Sequence, residues 1–243
     1  IEGGFARRSA DGRMEVERAL RAYADPSRVP LLQRYFKTGP GEYGEGDRFL
    51  GLRVPQVRAV AKRFRALDLD TLQELLRSAW HEERQLALLV MIDQYRRGAP
   101  PQRQALFDLY LANTAGINNW DLVDVSAPRI VGAHVAPTTG GVIGRLSRSP
   151  SVWERRIAIM ASGHWIAEGT FAPTFTLVKR LMADEHDLIH KAAGWMLREI
   201  GKRDRTAEES FLERHHAAMP RTMLRYAIEH FPERRRRQFL NGV

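Results

Sequence analysis

The 243-residue chain contains no cysteine. Disulfides and thiolate metal ligands are therefore excluded, and a reducing, cytoplasmic compartment fits that usage. Long apolar runs are also missing. No stretch nears the ~20 residues of a membrane span, so no membrane partner is expected, and no apolar segment near the start resembles a signal peptide. Strictly alternating segments, the mark of half-buried strands, are absent too. Negative charge is in the minority, with 29 acids against 38 lysines and arginines, a net charge of +9 and a pI near 10.3. Arginine dominates the basic set, and its planar fork suits phosphate oxygens. Nucleic acid thus leads the partner classes. A coding bias that places arginine on solvated helix faces would give the same composition, so both readings stand at this level.

What the sequence does contain is helical period. At 44% hydrophobic and 28% charged residues, it is a globular chain long enough to bury a core. Amphipathic segments such as "MEVERALRAYAD", "DTLQELLRSAW", "EERQLALLVMIDQYRRG" and "DLIHKAAGWMLREIGK" follow one another with short connections. The expected class is all-α. Residues 1–12, "IEGGFARRSADG", begin at Ile1 rather than Met and read as a flexible tail, either a processed end or an expression remnant. Residues 13–243 then form a single domain.

The helices repeat. Small residues Ala87, Ala158, Ala193 and Ala227 mark apolar helices at steps of 71, 35 and 34. The first step is about double, so a further unit belongs near Val123. Each marker helix follows another amphipathic helix. A helix pair every ~35 residues is the signature of an α-solenoid of HEAT-like pairs, which would form one curved domain with a basic concave groove. Positions just before each marker are Arg84 and Gln85, Trp120 and Asp121, Arg155 and Arg156, His190 and Lys191, Leu224 and Arg225. Asp124 and Trp195 lie just after theirs. These offsets span about 140° of a helix, one face. Trp120, Asp124, Arg155 or Arg156, Lys191, Trp195 and Arg225 are thereby expected to line one groove. Plainer readings exist for most of them. A tryptophan in an apolar helix is usually core, an arginine at a helix start often pairs with a neighbour such as Glu154, and Asp121 suits a first turn through the helix dipole. Asp124 is harder to place this way. It sits one turn into the helix between Val123 and Val125, where a carboxylate is costly unless partnered.

These residues resemble a known family. "NNWDLVDVSAPRIVG", "WERRIAIM" and "HKAAGWMLREIGK" together are similar to the AlkD-like DNA alkylation repair glycosylases, which are HEAT-like proteins. The loop "YFKTGPGEYGEGDRFLGLRVPQVR" resembles the family's N-terminal segment in a longer variant, and the likeness runs from about residue 14 to about 235. Carried over position by position, the resemblance implies a catalytic carboxylate at Asp124, with Trp120 and Trp195 beside the lesion's sugar. It implies Arg156, with Arg155 next to it, as a functional arginine, and Tyr35 as a lesion-proximal aromatic. With the groove positions Lys191, Arg225 and Arg84 as further DNA contacts, the expected partner is duplex DNA carrying alkylated purines. The expected protein is a monomer of the bacterial-type cytosol and nucleoid, using neither metal nor cofactor.

The chemistry fits those residue types. An N3- or N7-alkylated purine, such as 3-methyladenine or 7-methylguanine, is cationic and leaves with little or no protonation. The difficult charge is the developing oxocarbenium on the deoxyribose, which a single carboxylate stabilises while orienting water. Tryptophan faces suit a cationic base and sugar C–H edges, and arginines hold phosphates without reading sequence. The resemblance further implies that the base need not enter a deep pocket, unlike in base-flipping enzymes. Other signals point to little. His186 and His190 are four apart but have no third ligand at matching spacing. "RRRR" at 234–237 suits a solvated terminal helix, and "GPGEYGEGD" lacks the lysine and hydroxyl of a phosphate loop. Two competing functions remain: a DNA-shape-binding HEAT protein without chemistry, and a HEAT adaptor for acidic proteins.

Overall fold

The computed structural model describes residues 2–241, with side chains from Asp11 onward. Ile1 and most of the expected 1–12 tail therefore lie outside the described side chains. Fourteen α-helices run in chain order among the described residues: α1 (Glu2–Arg21), α2 (Val29–Tyr35), α3 (Val54–Arg63), α4 (Leu69–Leu76), α5 (His81–Arg97), α6 (Pro100–Ala112), α7 (Trp120–Ala127), α8 (Gly141–Leu146), α9 (Val152–Ala167), α10 (Ala172–Leu181), α11 (Asp187–Arg203), α12 (Arg205–His215), α13 (Arg221–Ala227) and α14 (Glu233–Asn241). The only β-type pairing described is a single bridge between Arg48 and Trp80. The protein is all-α, as its periodicity predicts. No helix among the described residues is long and apolar enough to cross a membrane.

The chain divides into two compact units, residues 1–126 and 127–243. In the first, α5 packs against α3 and α4, and α1 against α4. In the second, α11 packs against α9 on one side and α13 on the other, with α10 and α12 also against it. All five repeat markers, Ala87, Val123, Ala158, Ala193 and Ala227, are buried at 0–1% exposure. They fall on α5, α7, α9, α11 and α13, each preceded by a partner helix, so the 35-residue phase follows real helix pairs.

Local chemistry sets the helix ends. Asp68 caps α4 by accepting from the Thr71 amide at 2.7 Å, and Asp204 caps α12 from Ala207 at 2.9 Å. Pro128 has no N–H to continue the α-helical ladder after α7, and residues 128–132 take a single π-type turn instead. Glycine permits the close approach of α11 and α13. A Cβ on Gly194 would overlap the Met223 carbonyl and lie 2.6 Å from Tyr226 Cβ.

Candidate active site

The site in the first unit begins with the glycine-rich loop between α2 and α3. Gly51 holds φ = +93°, and a Cβ there would overlap the Asp25 carbonyl, so only glycine fits. Glu82, near the start of α5, gathers the loop's backbone. Its carboxylate accepts from the amides of Leu50 (3.0 Å), Gly51 (2.9 Å) and Leu52 (3.2 Å). The His81 amide donates to the Arg48 carbonyl at 2.8 Å. So anchored, the loop delivers Asp47 and Phe49 to the His81 ring.

His81 is the hub. Its Nδ1 lies 2.8 Å from Asp47 Oδ2 and its Nε2 lies 2.8 Å from Asp121 Oδ2. A ring nitrogen facing a carboxylate must donate, and both do, so the ring is an imidazolium. Burial alone would lower its pKa. The charge and hydrogen bond of Asp121, then those of Asp47, outweigh it and raise the pKa to about 9. Burial likewise works against the Asp47 carboxylate, but the His81 bond and the Arg84 charge leave its pKa below the ordinary value. Arg84 completes the quartet, bonding Asp47 and donating to the Ser78 carbonyl at 2.8 Å. The rings of Phe49 and Phe36 lie 4.8 and 4.9 Å from the imidazolium, where their negative faces favour a cation.

Helix α7 is joined to this hub. The Trp120 ring stacks on Phe36 at 5.3 Å and meets the edge of Tyr35 at 5.5 Å. Asn119 accepts from the Trp120 amide at 2.9 Å and donates to the Phe36 carbonyl at 3.4 Å. Asp121 takes a further bond from Gln85 at 3.2 Å. At the other end, Ser126 Oγ bonds the Tyr110 hydroxyl at 2.9 Å and the Leu122 carbonyl at 2.6 Å. Asp124 lies between these anchors, half-buried. It is close to Tyr110, whose phenol is pushed up by burial and further by the Asp124 charge, against the lowering bond from Ser126. Beside Trp120 and Asp121 opens a cleft of about 410 Å³, walled by Tyr35, Phe36, Phe49 and Pro55, with Arg28 and Arg53 among its lining residues. Tyr35 is 60% exposed.

The other expected site residues are placed differently. Arg84, expected to face DNA, is 3% exposed and has its guanidinium occupied within the quartet. In the second unit Arg156 is buried and donates to the Leu188 carbonyl at 2.5 Å. Arg155 pairs with Asp184 at 2.6 Å rather than with Glu154, and also donates to the carbonyls of Ser149 and Pro150. Lys191 pairs with Asp187 at 2.7 Å. Trp195 is half-buried and donates to Glu199 at 3.0 Å, and Arg225 is exposed. His186 and His190 are also engaged, one accepting from the Leu188 amide at 3.1 Å and the other meeting the Asp184 carbonyl at 2.5 Å. No cluster of three or more metal-ligating side chains occurs among the described residues.

Sequence reasoning did not find His81, Asp47, Phe36 or Phe49. A clue was present in Asp121, an acid in a repeat column where other units carry Arg, Lys or Gln. Such an acid needs a cation from elsewhere, and His81 opens the preceding marker helix.

Comparison with known proteins is consistent with this helical frame. Residues 16–231 match the family model described as DNA alkylation repair enzyme. No match was found among curated proteins. A solved structure described as a predicted DNA alkylation repair enzyme from Enterococcus faecalis superposes with a TM-score of 0.67 at 16% identity, covering 86% of this chain and 97% of that one. At that identity the likeness is one of fold.

Proposed function

Because the chain belongs to the family of DNA alkylation repair enzymes, we propose that it is a DNA glycosylase for cationic N3- and N7-alkylpurines in duplex DNA. The residue on which this reading rests is Asp124, half-buried on an anchored helix one turn from Trp120, whose ring meets the exposed Tyr35. In the proposed reaction the bond between C1′ and the purine nitrogen breaks. Its electron pair neutralises the base cation, and the base leaves without needing a protein acid. The Asp124 carboxylate stabilises the positive charge building on the sugar and orients a water toward C1′. Water oxygen forms the new bond, its proton passes to Asp124 or solvent, and an abasic site remains. Trp120 and Tyr35 present aromatic surface to the lesion. In the second unit, Trp195, Arg155, Lys191 and Arg225 are the candidate DNA contacts, the last three to phosphates. Arg84 and Arg156, both buried and bonded to backbone carbonyls, support the scaffold in this reading.

The test is release of free base from duplex DNA containing 7-methylguanine. The expected result is release above the spontaneous rate, reduced about 10²- to 10³-fold in Asp124→Asn, the range found when one group stabilising transition-state charge is removed. Duplex binding without release by the well-folded wild type would favour a DNA-shape-binding protein instead.

A further inference from the structure

The proposed reaction uses Asp124 but not the acid three residues before it. We propose that Asp121 and His81 are positioning residues for Asp124: the buried ion pair between them sets the first turn of α7 and so the place of the carboxylate one turn later. This rests on the glycosylase reading of Asp124.

α7 has only eight residues, too few to hold itself as a helix without packing. Its far end is fixed by Ser126 and Tyr110, and its start by Asn119, the Trp120 stack and Asp121. Asp121 is the charged anchor of that start. The two side chains of the pair are 3% and 14% exposed, so water contributes little. Asp121 Oδ1 is buried with no partner, and Oδ2 accepts from His81 and Gln85. Charge compensation for Asp121 in this quartet therefore comes through His81.

His81 serves this role only as an imidazolium. A neutral ring has one N–H for two carboxylates, so one of the 2.8 Å contacts becomes lone pair against lone pair. Asp47 retains Arg84, whereas Asp121 retains the neutral Gln85 amide. The charged groups around the ring are Asp47 from the loop, Asp121 from α7, and Glu82 and Arg84 from α5 itself, with Arg28 and Arg53 lining the adjoining cleft. Glu82 is engaged by loop amides and does not replace the lost proton. The raised pKa of His81 agrees with this dependence.

The experiment compares full-length wild type, Asp121→Asn and His81→Gln by two readouts across pH 6–10. One is single-turnover release of 7-methylguanine, and the other is hydrogen exchange of the peptide spanning residues 117–132, corrected for intrinsic rate. Wild type is expected to lose single-turnover rate along an alkaline limb near pH 9, with α7 exchange rising over the same limb. Asp121→Asn keeps an acceptor but removes the charge. It should move both limbs to lower pH and cut release about 10- to 100-fold at neutral pH, the scale of a misplaced catalytic group. If Asp121→Asn leaves both limbs where wild type has them, the proposal is overturned. Slower release with unchanged α7 exchange in the variants also overturns it. If His81→Gln fails to fold, Asp121→Asn alone decides. If wild type releases no base at any pH, the glycosylase reading falls, and the exchange limb still decides whether the pair sets α7.

Discussion

At the scale of residues, three buried groups tie stability to pH in different places. His81 has its folded pKa raised to about 9 from 6.5. Its contribution is fully present below pH 6.5 and is lost as pH rises through about 9, a loss of roughly 3–4 kcal/mol at ~1.4 kcal/mol per unit. Asp47, held below its ordinary pKa, contributes above that ordinary value and loses its contribution on acidification. Chemical denaturation across pH should therefore show weakening on both sides of neutrality, with the alkaline side flattened in His81→Gln. Glu208 acts alone. It is 2% exposed, with Oε1 unpartnered, and burial raises its pKa to about 8 from 4.5. The folded state favours its neutral form, so the stability of the wild type falls as pH rises from 4.5 through about 8. Glu208→Gln removes that titration. The variant is expected to gain on the wild type steadily over that window, and a constant difference in Tm between pH 5 and 9 would refute the assignment.

At the scale of elements, stability rests on how helices are held as well as on how strongly they form. Gly194 lies where α11 meets α13, and a methyl group would overlap the Met223 carbonyl, a backbone atom that cannot rotate away. Gly194→Ala should therefore destabilise the protein by about 1–3 kcal/mol despite alanine's better helix propensity. Equal or higher stability in urea would show that the helices part more easily than their packing suggests. Glu82 has the corresponding role for the loop. With three amides gathered on one carboxylate, Glu82→Ala strands buried donors and should cost about 2–3 kcal/mol. Proteolysis is expected to find the 39–53 segment first in that variant.

At the scale of the whole molecule, the charge of +9 is a statement about partners and not about fold. Two candidate phosphate contacts in the second unit already have partners within the protein: Arg155 with Asp184 and Lys191 with Asp187. Binding to DNA would then exchange some of these internal pairs for phosphates. If about four phosphates are neutralised, affinity for undamaged duplex should fall about a hundredfold between 50 and 200 mM salt. Asp124→Asn should follow the same salt slope, because the substitution removes no cation. A flat salt response would argue against a phosphate-gripping surface.

Helix class and repeat phase were decided by the sequence, because amphipathic spacing is local and each marker's burial follows from its own helix. Trp120 and Asp124 also stood out there, since a carboxylate one turn into an apolar helix conflicts with its immediate neighbours. The partner of Asp121 was decided only by tertiary structure. His81 lies 40 residues away, and no spacing rule joins the start of one helix to the start of another. The burial of Arg84 and Arg156 was likewise out of reach, because an arginine on the correct helix face looks the same in sequence whether it meets solvent or an internal acceptor. Charge pattern along the chain reports which side chains exist; folding alone determines which of them are already neutralised before a ligand arrives.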